Sequence, residues 1–166
     1  MNTQPELVIT RAFQAPRELV FKAFTEAEHL VHWWGPKDFQ LEVITLDVRE
    51  GGLFHYSMAN ENGFKMWGVF KYHHVNSPQE IVFVNSFSDE QGNIIRGPFH
   101  EMWPLEVMNT WTFTEENSIT TLTLKGKPHN ATEPEINTFE AEMNSMNQGF
   151  GGTFNQLEAY LSRIQK

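Results

Sequence analysis

Hydrophobic residues recur along this chain with two periods, and the change from one to the other divides it into elements. Leu7–Phe13 alternates as a short strand. From Pro16 the apolar residues Val20, Phe21, Ala23 and Phe24 follow helical intervals, with proline in the first turn, where its missing N–H costs nothing. This stretch continues through Glu28-His29-Leu30-Val31-His32-Trp33-Trp34, and Gly35-Pro36 is expected to stop it. A long β region then extends from about Phe39 to Lys127. Its pieces are Gln40–Val48, Leu53–Ala59, Lys65–Val75, Ile81–Phe87, a strand ending at Phe113, and one through Ile119–Leu124. Gly51-Gly52 and Asn60-Glu61-Asn62-Gly63 supply turn chemistry between neighbours, and Glu115-Glu116-Asn117-Ser118 closes the clearest hairpin. The arrangement expected is an antiparallel meander.

Alternation also assigns faces. Phe54, Tyr56 and Met58 oppose His55 and Ser57; Trp111 and Phe113 oppose Thr110, Thr112 and Thr114; Leu122 and Leu124 oppose Thr121 and Thr123. The sheet is therefore buried on one side. From Glu135 to Ile164 the period becomes helical, with Phe139, Met143, Met146, Phe150, Phe154, Leu157, Leu161 and Ile164 three or four apart. A single long helix is expected to cover the sheet. At a rise of about 1.5 Å per residue it would span roughly 40–45 Å, so its stripe would cross several strands. Gly149, Gly151 and Gly152 interrupt it at about 1 kcal/mol each, which points to a bend or to a close approach to sheet or ligand. The irregular stretch Ser88–Pro104 reads as a flap over a cavity edge.

The length of 166 residues suits one domain, taken as 1–166, with a sizeable core. With 14 Phe and 5 Trp, that core or a pocket must absorb much ring surface. A formal net charge of −9, with no basic run, argues against nucleic-acid partners. No apolar run approaches the roughly 20 residues that span a bilayer, so membrane insertion is not expected. The N-terminus lacks the pattern of a signal peptide, and a cytoplasmic location follows as the expectation. The absence of cysteine excludes disulfides, thiol catalysis and thiolate metal sites.

Strand, helix pair, antiparallel strands and long C-terminal helix form the order of an α+β helix-grip domain. Four segments narrow this: Ile9-Thr10-Arg11-Ala12-Phe13-Gln14-Ala15-Pro16, the Trp33-Trp34-Gly35-Pro36 box, Asp47-Val48-Arg49-Glu50-Gly51-Gly52-Leu53-Phe54, and Gly149-Phe150-Gly151-Gly152-Thr153-Phe154. They resemble the START-like (SRPBCC) superfamily, in the AHSA-type branch of homologues of the activator of heat-shock protein 90 ATPase. The resemblance implies a START-like, Bet v-like fold. In it a curved antiparallel sheet wraps a long C-terminal helix, two short helices follow the first strand, and a cavity lies between sheet and helix. It implies no single use, since the superfamily includes lipid carriers, hormone receptors, polyketide aromatase/cyclases and co-chaperone domains. The chain departs from the branch at Asn85, where a bulky aromatic residue is usual, and in Arg96–Glu106, which is longer and more aromatic.

The candidate ligand-binding set is Trp34, Phe54, Tyr56, Phe70, Phe83, Asn85, Trp111, Phe113, Phe150 and Phe154, with Tyr56 and Asn85 as the polar contacts. A filled core explains the same aromatic residues, and both readings stand at this point. His29 and His32 share a helix side, yet no third ligand has recognisable spacing, so no metal site is expected. Neither a glycine-rich phosphate loop nor a serine elbow is present, and no cofactor is expected. His100 beside Glu101 offers acid–base chemistry, but adjacent loop residues often point apart, and no catalytic residue is assigned. The function expected is non-catalytic binding of a hydrophobic or aromatic small molecule or lipid. A polyketide cyclase/aromatase-like enzyme and a chaperone-interaction module are the alternatives. Homodimerisation remains open, with no coiled-coil seam to support it.

Overall fold

In the computed structural model, which describes residues 5–165, seven strands alternate with turns as the two-residue period requires. They are β1 (Leu7–Phe13), β2 (Gln40–Leu46), β3 (Leu53–Ala59), β4 (Lys65–Asn76), β5 (Glu80–Ser88), β6 (Val107–Glu116) and β7 (Ile119–Pro128). The sheet is wholly antiparallel, in the order β1-β7-β6-β5-β4-β3-β2. Only the β1–β7 pairing joins distant parts of the chain. Bulges between Val43 and Thr45 and between Tyr72 and His74 shift the register, and such extra residues bend a strand and increase its twist. The β6–β7 turn places Asn117 and Ser118 at φ 55° and 63°, the left-handed pair that a tight hairpin demands.

Helices cover one face. α1 (Arg17–Thr25) buries Val20, Phe21, Ala23 and Phe24, and α2 (Ala27–Leu30) buries Leu30. The two are separated at Glu26, whose extended φ and ψ of −118° and 133° break the helical path. The helical stretch therefore ends before Gly35: Trp33 and Trp34 continue only as turns, both N–H groups donating to the Leu30 carbonyl. α3 (Glu133–Ala141) opens with a capping box in which Thr132 and Glu135 exchange hydrogen bonds. α4 (Met143–Ile164) follows.

Two expectations for the C-terminal region are corrected here. It is two helices rather than one, parted at Glu142 with φ −99° and ψ 8°. The glycines mark neither a break in the helix nor a close approach to the sheet, because α4 runs continuously through Gly149, Gly151 and Gly152. A Cβ built on any of the three meets nothing within 4 Å. The hydrophobic stripe is also used unevenly. Phe154, Leu157, Tyr160 and Leu161 are buried, Met143, Met146 and Phe150 only partly, and Ile164 is exposed. The first half of α4 thus stands off the sheet, while the second half packs on it.

The core sits beneath α1 and the second half of α4. Phe24 stacks on Trp111 with ring centres 4.0 Å apart and planes within 2°. Phe70 stacks on Phe83 at 4.2 Å, Phe21 meets Phe113 edge-on at 5.4 Å, and Phe13 meets Phe154 at 5.9 Å. Such offset and edge-to-face pairs add about 0.5–1.5 kcal/mol each beyond the surface they bury. No described helix is long and apolar enough to cross a membrane.

Candidate functional site

Where α4 leaves the sheet, a cavity of about 640 Å³ opens between them. Its floor is the inward row of the strands: Tyr56 and Met58 on β3, Met66 on β4, Asn85 and Phe87 on β5, Val107 and Asn109 on β6, and Gly126 on β7. Its roof is Phe139 of α3 with Met146, Phe150 and the backbone at Gly149 and Gly152 of α4. Trp34, Gly35 and Pro36 also line it, as do Phe99 and Trp103 from the loop between β5 and β6. Among the described residues, the only charged ones on the wall are Lys37, which is exposed, and Glu142, which is partly buried at the α3–α4 junction.

The Trp33–Pro36 segment is fixed to α4 by backbone recognition. The Gln156 amide donates to the carbonyls of Trp33 and Gly35 at 3.0 and 2.9 Å, and Thr153 donates to Gly35 at 3.2 Å. The Trp33 indole donates to the Ala23 carbonyl at 2.9 Å, tying the same segment to α1. Gly35 has φ +107°, and a Cβ there would lie 2.6 Å from the Met58 sulfur, so this corner accepts only glycine. Trp34 is thereby presented edge-on to Phe70, with ring centres 5.5 Å apart, at the boundary between core and cavity.

The loop after β5 is built on Asp89, whose carboxylate accepts from the backbone N–H groups of Asn93 and Gln91 at 2.8 and 2.9 Å. Those contacts, Asn93 first, hold its carboxyl below the usual range. Further along, Arg96 donates to the Trp103 carbonyl at 2.9 Å and pairs with Glu135 of α3. Glu135 is only 5% exposed, and its pKa is lowered first by the Thr132 backbone N–H at 2.8 Å and then by Arg96. The segment expected to form a flap therefore borders the cavity, pinned at one point to the helix above it. Phe99 packs edge-on against Phe87 at 5.3 Å, and Trp103 lies 5.6 Å from Phe139.

The interior polar groups are uncharged. Burial pushes the Tyr56 phenol up to about 12, with a smaller opposing effect from Trp34. Asn109 accepts from the Trp111 indole and donates to the Val107 carbonyl, both at 3.3 Å. The Asn85 carboxamide has no hydrogen-bond partner among the described residues, and its strand neighbours are Phe70 and Val107.

Of the ten residues expected to contact a ligand, Trp34, Tyr56, Asn85 and Phe150 line the cavity. Phe54, Phe70, Phe83, Trp111, Phe113 and Phe154 do not; they are at most 1% exposed and interlock as the packed core. Sequence reasoning missed Met58, Met66, Phe87, Phe99, Trp103, Asn109, Phe139 and Met146. Asn109 was accessible by alternation, standing two before Trp111 on the same inward face. His100 lies outside the cavity wall, exposed, with its Nδ1 accepting from the Met102 N–H at 2.9 Å. His29 and His32 serve the α2–α4 contact instead: His29 Nδ1 lies 2.6 Å from the Tyr160 hydroxyl, and His32 stacks on that ring at 4.9 Å. Glu26, Glu28 and His29 form the one cluster of metal-type donors among the described residues, at the surface and away from the cavity. A smaller hollow of about 430 Å³ beside Phe39 is bordered mainly by exposed Asp38, Gln40 and Glu61.

A curved sheet gripping a C-terminal helix is the helix-grip fold, and the family model described as Activator of Hsp90 ATPase homolog 1-like protein matches residues 14–162. The chain belongs to that family. Among solved structures, this family member is similar to protein Ms6760 of Mycobacterium smegmatis, with 26% identity and a TM-score of 0.77 over 96% of this chain and 92% of that one. A Staphylococcus epidermidis protein matches with 24% identity and a TM-score of 0.78 over 99% and 93%. DynU16, a protein of the dynemicin biosynthetic locus, matches with 19% identity and a TM-score of 0.65 over 95% of this chain and 47% of that one. None of the curated proteins matches the chain in sequence.

Proposed function

We propose that the protein binds a hydrophobic or aromatic small molecule in the cavity between its sheet and the first half of α4, without catalysing its conversion. One observation carries this reading. A space of about 640 Å³, walled by methionine and aromatic side chains, holds a carboxamide, Asn85, that no described residue satisfies. Ligand sites commonly enclose about 300–1,000 Å³ and set a few polar groups in apolar walls. Asn85 is half-buried and makes no side-chain hydrogen bond among the described residues, so its amide is free to bond a polar group of a ligand that enters the cavity.

Binding without turnover is favoured over cyclase chemistry by the ionisable groups. Proton transfer is most efficient when the catalytic pKa lies near the working pH. Tyr56, the one ionisable group on the floor, is pushed up to about 12, and His100 is not on the wall. Tyr56 therefore acts as a neutral hydrogen-bonding group.

The test is native mass spectrometry of gently purified protein, with the denatured mass and an organic extract of the same sample. A reproducible adduct that is lost on denaturation is the expected result. A clean apo mass, together with stimulation of a heat-shock protein 90 ATPase, would replace this reading with a chaperone-interaction module.

A further inference from the structure

Helix α4 carries three glycines in four positions, and neither chain geometry nor packing demands them. The helix is continuous, and a Cβ at Gly149, Gly151 or Gly152 touches nothing within 4 Å. Gly149 and Gly152 lie three apart, on one face of the helix, and both border the cavity; Gly151 does not. Side chains at Gly149 and Gly152 would occupy open space at the cavity wall beside Phe150. The same wall carries Asn85 and Tyr56, uncharged polar groups, and, among the described residues, only two charged ones, exposed Lys37 and partly buried Glu142.

Resting on the binding reading above, we propose that Gly149 and Gly152 select the ligand's shape. They leave a slot that admits a flat, uncharged ring system against bare helix backbone, with a carbonyl or hydroxyl oxygen received by Asn85. An anion is disfavoured, because entering this apolar interior would strip its water, while the one wall cation among the described residues, Lys37, is solvent-exposed and its charge is offset by that of Glu142. A flat ring is favoured, because backbone on one side and Phe150, Phe87 and the methionines around it give contact over both faces.

The probe is Prodan, an uncharged naphthalene ketone whose emission moves to the blue in apolar surroundings; naphthoate supplies a matched ring with a negative charge. Wild-type protein is expected to bind Prodan with blue-shifted emission, and naphthoate to displace it about tenfold less well than an unlabelled neutral naphthyl ketone does. Gly149→Leu and Gly152→Leu are each expected to weaken Prodan binding by about tenfold, since overfilling a preformed space expels its occupant. Gly151→Leu, which makes the same chemical change off the cavity wall, is expected to bind as wild type does. Asn85→Leu is expected to weaken Prodan binding while the emission stays blue-shifted. If a leucine variant fails to fold by circular dichroism, Gly149→Ala with Gly152→Ala replaces it, with about a threefold weakening expected. Equal affinity in the Gly149, Gly151 and Gly152 variants would overturn the role of the slot, and naphthoate binding as tightly as the ketone would overturn the uncharged class. If wild type takes neither probe yet carries a native adduct, this inference falls and the binding reading stands. If it shows neither probe binding nor adduct, the binding reading itself falls.

Discussion

Gly68 on β4 pairs with Tyr56 on β3 so closely that a Cβ at Gly68 would lie 2.5 Å from the Tyr56 hydroxyl oxygen and 2.6 Å from the ring carbon that bears it. The phenol therefore lies flat across its neighbour strand, and the glycine is the space it occupies. Gly68→Ala is expected to destabilise the fold by about 1–3 kcal/mol through overpacking. Tyr56→Leu removes the ring and should make the second change less costly. A double-mutant cycle from urea midpoints is expected to show coupling above roughly 0.5 kcal/mol, and additive effects would mean the ring moves freely aside.

The tyrosines should not titrate as free phenols. All three are raised: Tyr56 to about 12 by burial, Tyr72 by burial and then by Tyr56, and Tyr160 by burial. For a folded pKa above the unfolded value of about 10, stability is complete below that value and falls as pH rises toward the folded pKa. The window for Tyr56 runs from about pH 10 to pH 12, and two units correspond to about 2–3 kcal/mol. Tyrosinate absorbance is expected to appear together with loss of circular dichroism. Tyrosinate forming near pH 10 in folded protein would contradict it.

How far the chain could be read depended on what each pattern measures. Alternation reports which face a residue occupies, so the strand set and the inward rows of β3, β5, β6 and β7 were legible from residues such as Phe54, Tyr56, Trp111 and Leu122. It does not report what lies above that face. Phe83 and Asn85 share an inward row, yet Phe83 is packed beside Phe70 and Trp111 while Asn85 opens on the cavity. The difference comes from where α1 and the second half of α4 press on the sheet, which is tertiary information. The break at Glu142 was hidden for a related reason: the spacing of Phe139, Met143 and Met146 stays helical across it, although one residue leaves the helical path. Glycine spacing misled in the opposite direction, since α4 continues through Gly149, Gly151 and Gly152 without a break.

The Arg96–Glu135 pair should hold the β5–β6 loop against α3. Because Glu135 has a lowered pKa, its contribution is present above the unfolded carboxyl value and is lost as pH falls through the lower folded one, in a window below about pH 4. Arg96→Ala leaves a buried carboxylate with its capping bonds but no cation. It is expected to cost about 1–3 kcal/mol and to speed hydrogen exchange across residues 89–106 more than in the strands. Glu135→Gln keeps a capping side chain and should flatten the acid limb of the stability curve. An unchanged acid limb would place that pH dependence elsewhere.

Gly149 and Gly152 offer the opposite trade. Each exposes helix backbone and contacts nothing through its missing side chain, so alanine at either position gains helix propensity without a clash. Gly149→Ala and Gly152→Ala are each expected to stabilise the protein by about 0.5–1 kcal/mol, additively if they act only through propensity. The check is the denaturant midpoint at constant slope, since a changed slope would mean that the unfolded state had moved instead. A fall in stability would show that the helix uses these glycines for a contact the static structure lacks, such as closing onto the sheet when the cavity collapses. A rise would show that the chain forgoes stability in α4 to keep the cavity open.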